Sequence, residues 1–207
     1  MTHTTLLLVP LLSQLLTHPS RCPSALFSAA SPKWNYVSCT LISYCTAYML
    51  QDGFHLANQA YTLGRVSDDD FMFLAHHVIT TGYMCSVRVL GAGHYSVMLL
   101  MFFGEVTNPV HNIFLILEKA AASGHGGPNI EYWLPLFGKI FALFYGLVRV
   151  VFGPVLGLWI TYDLLLRAEG RKNVPIMLSA VWVAAMWAVL HGSLGYALDV
   201  AAGALGL

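Results

Sequence analysis

The chain has 207 residues, 57% of them hydrophobic and only 10% charged, with ten basic residues balancing ten acidic ones and a mean hydropathy of +0.66. Soluble domains carry about 25% charged residues, so a water-facing globular fold is excluded. No basic excess points to nucleic acid. The apolar surplus is suited to lipid.

The first apolar run, Thr4 to Leu16, is too short to span a bilayer and lacks the basic start of a secretory signal. It reads as an interfacial piece or the remnant of a span. The Ser- and Pro-containing stretch from His18 to Pro32 reads as a flexible linker. Five longer apolar segments follow: Trp34–Leu56, Phe71–Val87, Val89–Leu117, Trp133–Leu166 and Asn173–Leu198. The fourth is too long for one untilted span, and Pro154 should kink it. Gly153 and Gly157 form a small-xxx-small pair that lets another helix approach.

Arg167, Arg171 and Lys172 follow the fourth segment, and basic loops favour the cytoplasm. Reading that segment as one bent helix puts Arg21, Lys33 and Arg88 on the same side. Asp68, Asp69, Asp70, Lys119 and Glu131 then fall on the other. The expected fold is all-α, a polytopic membrane bundle of about five to seven transmembrane helices. Cys22, Cys39, Cys45 and Cys85 show no CxxC spacing, so neither a disulfide framework nor a zinc site is expected.

Polar side chains at membrane depth are expensive and mark candidate sites. His76 and His77 adjoin in a segment without formal charge, each one helical turn before a threonine, Thr80 and Thr81. An imidazole can act as base, nucleophile or metal ligand; hydrogen bonding to neighbouring helices is an equal alternative. Glu105, Asn108 and Asn112 are spaced for one helix face, with Pro109 between them. Arg149 needs a carboxylate, a carbonyl or a headgroup, and Glu105 is a plausible partner. Asp52 and His55 form a further polar pair near a segment end. His55, His111 and Asp163 read as interfacial or structural, and His191 as a satisfied core residue. One adjacent His pair is too few ligands for a membrane di-iron centre. No GxSxG elbow or phosphate-binding loop is present. No metal and no cofactor is expected.

The run Asp70-Phe71 through His76-His77 to Thr80 resembles a ceramide synthase pattern, and Gly104-Glu105 through Thr107, Asn108, Pro109 and Asn112 resembles the motif of the other TLC-domain proteins. Arg149 to Pro154 and Asp52 resemble further family positions. The chain is thus similar to the TLC-domain family, closer to its non-ceramide-synthase members, over about residues 36 to 198. Ceramide synthases carry a His-Asp pair and a second Asp where this chain has Gly104-Glu105 and Asn108.

The chain is expected to divide into a short N-terminal apolar segment and linker over 1–33, a TLC-type transmembrane domain over 34–200, as the resemblance implies, and a tail over 201–207. The resemblance implies a lipid-homeostasis protein of an internal membrane, the endoplasmic reticulum, with Thr80, Asn108, Asn112, Arg149 and Asp52 holding a lipid or acyl chain. The enzymatic alternative is an N-acyltransferase with His76, His77 and Glu105 as catalytic residues. A third reading is a membrane chaperone or cargo adaptor without catalysis. Expected partners are membrane lipids, acyl-CoA or a sphingoid base under the enzymatic reading, and a second copy of the chain as a homodimer.

Overall fold

A computed structural model describes residues 3–19, 21–64, 68–124 and 126–205. It is an all-α membrane bundle, and among the described residues the only β pairing is an isolated bridge between Leu26 and Ala92. The helices are α1 (His3–Thr17), α2 (Pro32–Leu63), α3 (Asp68–Leu90), α4 (His94–Glu105), α5 (Asn108–Ala122), α6 (Ile130–Gly146), α7 (Gly153–Thr161), α8 (Ala168–Asn173) and α9 (Ile176–Leu205).

Three helical runs, His94–Ala122, Ile130–Leu166 and Ile176–Gly203, are long and apolar enough to cross a membrane. At 1.5 Å per residue, α2 and α3 extend for about 48 and 35 Å, so both have the length. They carry more polar residues, Asp52, His55 and Gln59 on α2 and the His76-His77 pair on α3, and fall short in apolarity. Both complete the bundle: α2 packs on α3 and α4, and α3 on α9. Large apolar side chains such as Leu143, 76% exposed, and Val78, 66% exposed, point outward, as a lipid-facing surface requires.

The break between α3 and α4 comes later than the sequence reading placed it. Val89 and Leu90 finish α3, and the chain turns at Gly91 and Gly93, with φ of 71° and 86°. That left-handed backbone suits glycine. The third apolar segment is therefore α4 plus α5, interrupted at Val106 and Thr107, with Pro109 in the first turn of α5. Proline is tolerated there because the first-turn N–H groups have no intrahelical acceptor.

The fourth segment is one continuous helical run, as expected. Its irregularity takes the form of two π-helical turns, Leu147–Phe152 before Pro154 and Tyr162–Leu166 at the end. Gly157 brings α7 against α9; a Cβ built there would lie 3.0 Å from Leu190 Cδ1 and 3.3 Å from Trp187 Cζ2.

The described residues between His18 and Pro32 are packed against the bundle, unlike the flexible linker expected there, and the apolar run before them forms α1. α1 buries Leu7, Leu11 and Leu15, spaced four apart, and turns Leu6, Val9 and Leu16 outward. It packs on α4 and α2. His18 and Ser24 are then buried. His18 Nε2 lies 3.1 Å from His94 Nε2, Phe27 N–H donates to Gly91 O, and Gly93 N–H donates to Ala25 O. Asp163, expected at an interface, is 1% exposed and accepts from Ser24 N–H at 2.8 Å and from Arg167 at 3.0 Å. Arg167 also donates to Cys22 Sγ. A carboxylate at the end of the apolar run thus clamps the N-terminal stretch to the base of the bundle. No local sequence pattern announces so distant a pairing.

Candidate functional site

Residues of α2, α3, α5 and α9, with Gly104 and Glu105 of α4 and Tyr145 and Arg149, line a cavity of about 780 Å³. On α2 it runs from Tyr48 to Gln59, about 16 Å of helix. Lys119, near the end of α5, lines its outer part. A narrower apolar pocket of about 70 Å³ lies deeper, among Tyr83, Met84, Leu100, Met101, Met186 and Leu190. The two spaces adjoin at Met49, His76, Ile79, Gly104, Glu105, Arg149 and Val189, which line both.

The sequence candidates converge here. Asp52, His76, His77, Glu105, Asn108, Asn112 and Arg149 all line the large cavity, and Thr80 lines the apolar pocket. They come from four separate helical segments, so only the tertiary packing brings them together.

The two histidines are placed differently. His77 is 8% exposed. Its Nδ1 lies 2.6 Å from the Phe73 carbonyl oxygen and its Nε2 lies 2.9 Å from Asp52 Oδ2. The Phe73 carbonyl can only accept, so Nδ1 carries a hydrogen, and Nε2 shares a second hydrogen with the Asp52 carboxyl group. Both nitrogens of His77 are thus engaged within the protein. His76 stands edge-on to it, with ring centroids 5.6 Å apart, and its Nδ1 lies 3.4 Å from Thr80 Oγ1. The expected stacking of His76 over Thr80 is present. His77 turns back to its own helix instead, and Thr81 Oγ1 is buried without a partner among the described residues.

Glu105 is 5% exposed and accepts from Asn108 Nδ2 across the break between α4 and α5. Arg149 does not pair with it. The guanidinium donates from Nη2 to the Gly104 carbonyl oxygen at 2.6 Å and lies over the Tyr145 ring, 5.4 Å from its centroid. Of the partners open to Arg149 from sequence, a carboxylate, a carbonyl or a headgroup, the carbonyl is the one found.

Some wall residues were read otherwise from sequence. His111 lines the cavity, stacks on Phe141 at 4.4 Å and lies 3.3 Å from the Tyr196 hydroxyl. His55 is an exposed wall residue of the same space. His191, expected in the core, is exposed on α9. Tyr48, Gln59, Tyr145, Ser193 and Tyr196 were not singled out. Tyr145 was accessible to sequence reasoning, standing four residues before Arg149, the spacing that places an aromatic beside a cation on one helix face. Among the described residues no group of three His, Cys, Asp or Glu side chains could hold a metal ion.

Such a site can bind an amphiphile: polar groups in the outer cavity, an apolar end beyond them, and one imidazole, His76, at the neck. No curated protein matches this chain, and no solved structure does. The TLC domain does, over residues 1–198. That match takes in α1 and the packed N-terminal stretch along with the helices that carry the site. With nearly the whole sequence covered, the chain belongs to the TLC-domain family.

Proposed function

We propose that this protein binds one membrane lipid or acyl chain in its cavity and acts in lipid homeostasis of an internal membrane, the endoplasmic reticulum. The polar end rests among His77, Asn108 and Arg149, and the tail runs toward Leu100, Met101 and Met186. The observation that carries this reading is the adjoining of a polar cavity of about 780 Å³ and an apolar pocket at one shared neck. Its volume falls in the range of about 300–1,000 Å³ common for small-ligand sites.

Mass spectrometry of the protein purified in mild detergent tests it. One lipid per chain should be retained, and Val189→Trp, which fills the neck, should expel it while the protein still melts cooperatively. A lipid-free wild type, or equal retention by the filled variant, would overturn the reading.

Acyl transfer to a long-chain base is the second reading, and the state of His76 favours it. With both nitrogens of His77 engaged, His76 is the imidazole available as base or acyl acceptor. Purified protein given acyl-CoA and a sphingoid base should form product, and His76→Ala should abolish it. Undiminished product formation by that variant would end this reading.

A further inference from the structure

The acidic and basic groups of the cavity are satisfied unequally. Asp52 has His77 at 2.9 Å, and Glu105 has the amide of Asn108. Arg149, which lines both the polar cavity and the apolar pocket, bonds a neutral carbonyl and lies over the face of a ring, and the Glu105 carboxylate is near enough to feel its charge without pairing with it. Its Nε is buried without a partner among the described residues. No carboxylate among them lies within ion-pair distance of it. A guanidinium stays charged at any accessible pH, and at membrane depth a charge calls for a counter-charge. Arg149 also sits in the π-helical turn Leu147–Phe152, and such turns are frequent at functional sites.

The geometry points to an anionic amphiphile as the ligand of this cavity, its phosphate or carboxylate held by the Arg149 guanidinium and its chain entering the apolar pocket. This rests on the lipid-binding reading above and adds the charge of the ligand to it. The planar fork of Arg149 suits the oxygens of either anion. Lys119 adds a second positive charge to the lining of the same cavity.

The test uses the full chain in nonionic detergent and three probes sharing oleoyl chains: oleate, dioleoyl phosphatidate and uncharged dioleoylglycerol. Binding is followed by native mass spectrometry. At least one anionic probe should bind about tenfold more tightly than dioleoylglycerol, the scale of one hydrogen-bonded charge. Preference for oleate alone would identify a free fatty acid, and preference for phosphatidate alone a lipid headgroup. Arg149→Met should lose the preference while still binding dioleoylglycerol, and Arg149→Lys should keep part of it. Equal wild-type affinity for charged and uncharged probes, or a preference that survives Arg149→Met, would overturn the anion site and leave lipid binding standing. If no probe binds, both inferences fall. Should Arg149→Met not fold, the wild-type comparison and Arg149→Lys decide.

Discussion

Removing one member of the Asp52–His77 pair should harm the protein more than removing both. The two groups lie 2.9 Å apart, with side-chain exposures of 42% for Asp52 and 9% for His77. At an effective dielectric of 20, charges at that separation attract by about 6 kcal/mol. Desolvation cancels most of this, since each ion costs several kcal/mol to bury. The half-open side of Asp52 places the remaining coupling at about 1–3 kcal/mol, between an exposed pair and a fully buried one. Asp52→Leu strands a buried imidazole N–H and should cost about 2 kcal/mol. His77→Leu should cost about 1 kcal/mol, because the exposed part of the Asp52 carboxylate can still be solvated. The double replacement leaves an apolar contact, and its stability should return to within about 1 kcal/mol of wild type. Thermal unfolding of the purified protein in detergent measures the cycle, at about 2–4 °C per kcal/mol for a chain of this length. If the two single losses simply add in the double variant, the two side chains are not coupled and the pairing of His77 with Asp52 fails.

Two further outcomes follow from packing. Gly157→Leu should destabilise by about 1–3 kcal/mol by forcing α7 from α9. The emission of Trp187, whose indole N–H donates to Thr161 Oγ1 at 3.0 Å, should shift with it. Gly195→Ala, where a Cβ meets nothing within 4 Å, serves as the neutral control. Asp163→Asn replaces an acceptor of two donors, Ser24 N–H and Arg167, and should cost about 1–3 kcal/mol. Limited proteolysis should then cut the 18–31 stretch faster, whereas Glu118→Gln, at an exposed position of α5, should leave the cleavage rate unchanged.

Composition was enough to fix the solvent of this protein. Ten charges of each sign among 207 residues point to lipid, and unbroken apolar runs of about 20 residues suit spanning helices, whose backbone satisfies its own hydrogen bonds in hydrocarbon. The same scarcity exposed the site. Where polar residues are costly, each one inside an apolar segment is visible, and Asp52, His76, His77, Glu105, Asn108, Asn112 and Arg149 could be picked out singly. Local spacing also gave the contact of His76 with Thr80.

Partners were the province of tertiary structure. Spacing along a helix says which residues share a face but not which face of another helix they meet. Hence the pairing of His77 with Asp52 across α3 and α2, and of Arg149 with a carbonyl of α4 instead of the Glu105 carboxylate, emerged only on assembly. The N-terminal stretch shows the same limit. Its Ser, Pro and His residues look like a linker locally, yet His94 and Asp163, 76 and 139 residues further along the chain, supply the contacts that bury His18 and Ser24. Burial depends on what the rest of the chain brings near, and no short window of sequence contains that information.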